Sequence, residues 1–195
     1  MASCVGNIAG NIGLNCDSPI SGGYTGRGVY IPMESTPTLT KDANNPRIVT
    51  AVALASGAKV AKIDNEGATP FTGSTTTGTN ENGRPQFVKT AQIMMPERGA
   101  EFAQDVAEPL IKNGRGGILI LEKIDRVGDG SFEMIGTQSP AKVTDPSTVT
   151  RNEYENGGAC TATLQATEDY MEVSFFDTDY ETTLAKFEAL LALAF

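Results

Sequence analysis

The segment that most constrains the fold is residues 116–125, GGILILEKID. Four apolar residues follow one another after a pair of glycines, and charged residues come directly after them. A short apolar run bounded by turn residues is typical of a strand that is buried on both faces. The segment SFEMIG at 131–136 follows across Gly128-Asp129-Gly130, so the two segments are predicted to pair as a hairpin.

Shorter patterns predict further strands along the chain. They are RGVYI (27–31), RIVTAVALA (47–55), AKVAKID (58–64), QFVKTAQIMM (86–95), ACTATLQATE (159–168) and YMEVSFF (170–176). Ser56-Gly57 lies between the segments 47–55 and 58–64, which predicts that these two segments form a hairpin. In 86–95, Lys89 falls on the apolar face that also carries Phe87, Ala91, Ile93 and Met95.

Residues 159–168 alternate between two sets of side chains, as a half-buried strand does. We expect one set to point inward and the other to form a polar face, directed at solvent or at a lumen. The inward set is Cys160, Ala162, Leu164 and Ala166, and the polar set is Thr161, Thr163, Gln165 and Thr167.

Two helices are predicted, over about 98–113 and about 180–194. Phe102, Val106 and Leu110 lie four residues apart on the first, and Pro109 predicts a kink or a short final turn. The second begins after a capping box formed by Thr178 and Glu181. Its apolar stripe is Leu184, Phe187, Leu190, Leu191 and Phe195. This stripe is expected to be buried on the chain's own sheet or on a neighbouring subunit.

The domain organisation follows from these elements. Residues 1–26 are predicted to form an extended arm, 27–177 a single β-sandwich domain, and 178–195 a C-terminal helix. Within the domain, residues 65–85 contain almost nothing that could build a core, which predicts a long loop. Deleting 67–79 from that loop is expected to leave folding intact. The predicted fold class is therefore mainly β with α: a β-sandwich or partly closed barrel flanked by the mid-chain helix, with the extra helix at the C-terminus.

Composition excludes several kinds of function. The chain contains no histidine, so Ser-His-Asp and Cys-His catalytic designs are not possible. Its net charge of −9 argues against a partner bound by broad phosphate neutralisation. The three cysteines are expected to be free thiols, although Cys4 and Cys16 could pair if the N-terminal segment folds back. No apolar run approaches the ~20 residues that a membrane span requires.

Individual motifs indicate no enzyme site. The glycines in DSPISGGYTGRGVYI (17–31) precede a strand, whereas a phosphate-binding loop connects a strand to a helix. The carboxylates of Asp177 and Asp179 lack the ligand series and central glycine of a calcium loop, so helix capping is the expected role. We predict no catalytic, cofactor-binding or metal-binding residue, and no cofactor.

The order of the segments resembles that of the tail tube (major tail) proteins of tailed bacteriophages, particularly those of Bacteroidetes hosts. The resemblance spans most of residues 16–177. Its opening part rests on Cys16, Gly22, Gly23, Arg27, Val29 and Tyr30, and its central part on Gly117, Ile118, Ile120, Glu122, Gly130, Phe132 and Gly136. A late strand matches at Thr163, Leu164 and Glu168.

The resemblance implies a non-enzymatic virion protein, made in the bacterial host cytoplasm and located in the tail. Six copies would join their inner sheets into a ring, and stacked rings would form a tube through which DNA passes without specific binding. Expected partners are the chain itself and other tail proteins such as the tape measure, terminator or baseplate, with no membrane. The C-terminal helix departs from the family pattern and keeps a head–tail connector or terminator ring open, beside a capsid-decoration or binding module.

Residues for contacts between subunits or between stacked rings are predicted on the 65–85 segment, on the C-terminal helix and at one arginine. They are Gly67, Phe71, Thr76, Thr77, Asn80, Arg84, Arg27, Phe187, Leu191 and Phe195.

Overall fold

The computed structural model describes residues 23–64, 74–81, 84–95, 100–126, 128–144 and 160–195. Its strands are β1 (Tyr24–Pro32), β2 (Thr38–Lys41), β3 (Ile48–Ala53), β4 (Ala61–Asp64), β5 (Ser74–Glu81), β6 (Arg84–Met95), β7 (Gly117–Lys123), β8 (Phe132–Ile135), β9 (Lys142–Val143), β10 (Cys160–Glu168) and β11 (Val173–Phe175). Its helices are α1 (Ala100–Phe102), a π-helical stretch (Ala103–Ala107), α2 (Glu108–Lys112) and α3 (Tyr180–Leu191), and single 3-10 turns occupy Met33–Ser35 and Gly128–Gly130.

The strands form two sheets. One has seven strands in the order β2-β3-β11-β8-β7-β1-β4, and the other has four in the order β5-β6-β10-β9. Neither sheet closes into a barrel within the described residues. The predicted fold class, mainly β with a mid-chain helix and a C-terminal helix, is confirmed.

The chain packs as three layers, with the seven-stranded sheet in the middle. Leu119 and Leu121 of β7 belong to a core shared with the four-stranded sheet. Ile118 and Ile120, which point the other way, belong to a second core shared with α3. The apolar run of β7 is thus buried on both faces, as its sequence predicts, and its hairpin with β8 is confirmed.

The mid-chain helix closes one side of the sandwich. Helical structure runs from Ala100 to Lys112, within the predicted 98–113. Pro109 has no N–H to donate, and the irregularity expected near it takes the form of the π-helical stretch just before it. Phe102 and Leu110 pack against the core between the sheets.

Three predictions of local structure are wrong. The segments 47–55 and 58–64 do not pair with each other, because β3 lies between β2 and β11 while β4 pairs with β1 at the far edge of the same sheet. Much of the predicted 65–85 loop is the hairpin of β5 and β6; an edge strand rich in threonine needs no apolar face. The end of the predicted arm is also strand, since β1 begins at Tyr24; residues 1–22 lie outside the described residues.

The capping box was predicted to begin at the wrong residue, Thr178, whereas the helix-capping role expected for Asp179 is confirmed. Asp179, not Thr178, is the N-cap of α3, and its carboxylate accepts a hydrogen bond from the Thr182 N–H at 2.7 Å. A carboxylate serves this position as well as a hydroxyl does, and the two residues are neighbours. Spacing in the sequence therefore could not show which of the two residues is the N-cap.

Candidate assembly surface

The four-stranded sheet has one face on the core and one face turned away from it. Ala162, Leu164 and Ala166 of β10 are buried on the core side, as predicted. Strand alternation places mostly uncharged residues at successive positions of the opposite face, which we call the outer face, and the exposed Lys142 of β9 lies on it opposite Gln165. The uncharged positions are Thr75 and Thr77 of β5, Gln86, Val88, Thr90 and Gln92 of β6, and Thr161, Thr163, Gln165 and Thr167 of β10.

The predicted polar set lies on this outer face with one difference. Thr163, Gln165 and Thr167 are partly exposed, whereas Thr161 is only 3% exposed. Alternation decides which side of a sheet a residue takes, and the packing of the rest of the chain decides whether that side is covered. Thr161 is therefore not a surface residue of the single chain. The side chain of Cys160 lies outside the described residues.

The two sheets present four edges, and three of them carry features that discourage pairing with another chain. β2 has an irregular register at Thr40/Lys41 and ends on that lysine. β4 has four residues, carries Lys62 and Asp64, and is extended by a bridge between Val60 and Ala194. β9 has only two residues.

β5 is the exception. It is eight residues long, contains no proline, and has no charged residue before Glu81. Its register with β6 is unbroken from Ser74 to Glu81, and among the described residues it pairs with no other strand. A long, uncharged edge of this kind is a template for a further strand.

The predicted contact residues fall into separate places. Thr76 and Thr77 lie on β5, half-buried and exposed respectively, and Asn80 and Arg84 lie at the hairpin end with side chains outside the described residues. Gly67 and Phe71 also lie outside the described residues.

The predicted contact residues of the C-terminal helix divide into buried and exposed ones. Phe187 (0% exposed) and Leu191 (9%) are buried under the chain's own sheet, so their assignment to subunit contacts is wrong. Phe195 is 89% exposed and stays a candidate.

Arg27 binds carboxylates of its own chain instead of a neighbour's. Its guanidinium lies 3.4 Å from Oε2 of the buried Glu122 and forms an ion pair with Glu188 of α3. The Tyr180 hydroxyl donates to the other Glu122 oxygen at 2.8 Å. Burial, followed by this hydrogen bond, raises the pKa of Tyr180 to about 12. Arg27, predicted for a contact between copies, thus attaches α3 to the sheet of its own chain.

A buried ion pair on the core face of the four-stranded sheet is hydrogen-bonded to the seven-stranded sheet. The side chains of Lys89 and Glu168 are fully buried, and Nζ lies 3.1 Å from Oε2. Lys89 also donates to the Met134 carbonyl at 3.2 Å, and the N–H groups of Gly136 and Thr137 donate to Glu168 Oε1. The sequence drew attention to Lys89 on an apolar face and to Glu168 in the resemblance, but it did not indicate that the two residues pair. The position of Glu168 could have indicated its burial, because it comes two residues after Ala166 and therefore lies on the same inward face of β10.

The remaining carboxylate candidates have structural partners. Asp177 Oδ2 lies 2.8 Å from Lys186 Nζ, and a hydrogen bond from that lysine is the main reason for its lowered pKa. Asp179 caps α3, as described above. In the described part of the chain, no group of three or more Cys, Asp or Glu side chains is placed to hold a metal ion. The helices described are also too short or too polar to cross a membrane.

The class defined by this fold and surface is a two-sheet β-sandwich with a helical third layer and one unprotected sheet edge. No family model, curated protein or solved structure matches the chain.

Proposed function

We propose that this protein is a structural protein of the bacteriophage virion, whose copies join edge to edge into rings that stack into a tail tube. The observation that carries the proposal is the four-stranded sheet, because among the described residues its β5 edge pairs with no further strand and its outer face carries mainly hydroxyl and amide side chains, with Lys142 as the described charge. The resemblance in residues 16–177 is consistent with it. No cofactor and no catalytic step are part of this function.

The strand directions suit a ring. β5 with β6, β6 with β10 and β10 with β9 are all antiparallel, so β5 and β9 run in opposite directions. A rotation axis roughly parallel to the strands leaves every strand direction unchanged. β9 of the next copy would then run antiparallel to β5, and the alternation would continue around the ring. Because β9 has only two residues, closing the ring would cover part of the exposed β5 edge in every copy.

The outer face suits a channel for DNA. Most of its positions carry hydroxyl or amide side chains, and Lys142 is the one positive charge among its described side chains. The net charge of −9 adds no counterion-release affinity, so DNA would pass without specific binding. Thr163, Gln165 and Thr167 would line the lumen, and β5 with Thr76 and Thr77 would form the contact between copies. Other tail proteins would meet the ends of the tube.

One observation favours a second candidate. α3 covers the face of the seven-stranded sheet that lies away from the four-stranded sheet, and this third layer departs from the family pattern. A head–tail connector or terminator ring would use the same edge contacts but would stop at a single ring. The two candidates differ in whether the rings stack.

Electron microscopy of the purified full-length chain tests the proposal. We expect rings, stacked into tubes for a tail tube and single for a connector. Thr77→Lys places a charge at an exposed position of the β5 edge and should abolish rings. Thr40→Lys, at an exposed position of the β2 edge, is the matched control and should leave them intact. A wild-type chain that stays strictly monomeric at high concentration would overturn the proposal, and so would rings that Thr77→Lys does not affect.

A further inference from the structure

An apolar groove lies between the mid-chain helix and the edge of the seven-stranded sheet. Its volume is about 870 Å³. Ile63 of β4 and Tyr30 of β1 form one wall, and Phe102, Val106 and Leu110 of the helical segment form the other. Val106 is 41% exposed, and Phe195 at the rim is 89% exposed. The groove thus leaves large apolar side chains in contact with water, which marks a site of interaction.

One wall of this groove is also the short β4 edge, where Lys62 and Asp64 discourage pairing with an arbitrary strand, so a partner there needs side chains that fit the groove. β4 pairs with β1, and the C-terminal residues contact the chain just before β4 through the bridge between Val60 and Ala194. From Ala61 to Asp64 no other described strand lies beside β4. A segment added there would gain main-chain hydrogen bonds from the edge and could place alternate side chains in the groove.

The N-terminal sequence has the pattern that such a site requires. Residues 1–16 contain no charged side chain. Within NIAGNIGLN at 7–15, Ile8, Ile12 and Leu14 occupy even positions. Asn7, Asn11 and Asn15 occupy odd positions. This period of two puts the three apolar side chains on one face of a strand and the asparagines on the other.

We propose that residues 7–15 of a second copy of this chain bind along β4 and fill the groove. Ile8, Ile12 and Leu14 would contact the apolar walls, and the asparagines would face solvent. The groove stands open on the single chain as far as it is described. Resting on the proposed function, residues 16–22 would connect the bound segment to β1 of its own copy across at most about 25 Å, so the groove of the neighbouring copy must lie within that distance of Gly23. The segment would be a second contact between copies, separate from the β5 edge.

Peptide binding tests the groove. The probe is a fluorescein-labelled peptide of residues 1–16, added under reducing conditions to full-length protein carrying Ile12→Lys, so that the protein's own segment does not compete. We expect saturable 1:1 binding by fluorescence anisotropy. Val106→Lys should weaken it at least about tenfold, because a charge would enter the apolar groove. Ile124→Lys is the matched control, since Ile124 is 49% exposed and does not line the groove, and it should have no effect.

Changing the peptide instead of the protein removes any question of folding. A peptide with Ile12→Lys should bind at least about tenfold more weakly, and one with Asn11→Ser should bind as the parent does. No saturable binding, or binding insensitive to both Val106→Lys and peptide Ile12→Lys, would overturn the inference.

A mixing experiment tests whether the segment comes from a second copy. Val106→Lys protein keeps an intact segment and Ile12→Lys protein keeps an intact groove, so a mixture can make a contact that neither makes alone. We expect fluorescence energy transfer between the two labelled proteins to exceed that within either one. No excess would overturn the second copy as the source and indicate the chain's own segment. Rings in the absence of peptide binding would refute this inference alone, and binding without rings would refute only the proposed function.

Discussion

At the scale of single residues, the stability of the sandwich depends on charges that the sequence places in apolar surroundings. Lys89 stands on the core face of β6 and Glu168 on the core face of β10, and both are shielded from water. Removing two charges from water is costly, and the cost is offset here by their contact and by the N–H groups of Gly136 and Thr137. Gly136 adopts φ of 95°, and a Cβ there would lie 2.5 Å from the Gly117 carbonyl oxygen, so only glycine fits.

This arrangement predicts strong coupling between the two charged residues. Lys89→Met leaves the Glu168 carboxylate buried without its counter-charge and should lower the free energy of unfolding by about 3–5 kcal/mol. Adding Glu168→Gln should recover most of the loss, because glutamine keeps an acceptor for the two N–H groups. Urea denaturation measures both changes. The exposed pair of Lys112 and Glu108 is the control, and Lys112→Met should cost at most about 0.5 kcal/mol. A double variant no more stable than Lys89→Met would contradict this explanation.

At the scale of elements, α3 is held at its start by a cap and along its length by side chains. Asp179 satisfies the Thr182 N–H, while Lys186 reaches both Asp177 and the Thr50 carbonyl. Phe187 packs on Phe132 with ring centroids 5.0 Å apart. The amphipathic stripe was readable from the sequence, but the surface that it covers was not, since the apolar side chains fit an own or a neighbouring sheet equally well.

The cap can be tested by substitution and by pH. Asp179→Ala should lower the midpoint of thermal unfolding, whereas Thr178→Ala should change it much less. Hydrogen bonds from Thr182 hold the Asp179 pKa below the ordinary 3.8. For a carboxyl group with a depressed folded pKa, the stabilisation is present above the unfolded pKa and disappears as pH falls through the folded value. The difference between wild type and Asp179→Ala should therefore be constant from neutral pH down to about 5 and shrink below about 4. An equal effect from Thr178→Ala would contradict the assignment of the cap.

At the scale of the whole molecule, the seven-stranded sheet needs cover on both faces. The four-stranded sheet covers one and α3 the other, so the helix is part of the core instead of an appendage. The same layering leaves the outer face of the four-stranded sheet, the β5 edge and the groove beside β4 as surfaces. The proposed contacts between copies use these surfaces and leave both cores intact.

Removing the main contact of the third layer should therefore destabilise the entire chain. Phe187→Ala creates a cavity under Phe132 and should cost about 3–5 kcal/mol in the free energy of unfolding. Leu193→Ala, at a position that is 41% exposed, should cost at most about 0.5 kcal/mol. Denaturant unfolding measures the stability change of both variants, and we expect a single unfolding transition for each. A small effect of Phe187→Ala on stability, together with a loss of assembly, would instead place this residue at a subunit contact.

The structure also bears on the expectation that deleting 67–79 leaves folding intact. Ser74 to Thr79 form most of β5 and pair with β6, and the Ser74 hydroxyl contacts both Tyr24 and Glu133 of the seven-stranded sheet. The deletion would remove a strand and a link between the sheets. The single substitution Thr77→Lys, at an exposed position, tests assembly without this loss.

The sequence by itself determined the type of several elements and their pattern of apolar residues. These are the doubly buried β7, the alternating β10, the hairpin of β7 with β8, and both helices. These features depend on interactions between residues close in the chain, which a period of 2 or 3.6 reports directly. Only the tertiary structure decided that β4 pairs with β1, that 74–81 is an edge strand, that Lys89 meets Glu168, and that Arg27 and Phe187 attach α3. Strand order and buried charge pairing join residues far apart in the chain, and local patterns carry no information about which distant partner is chosen.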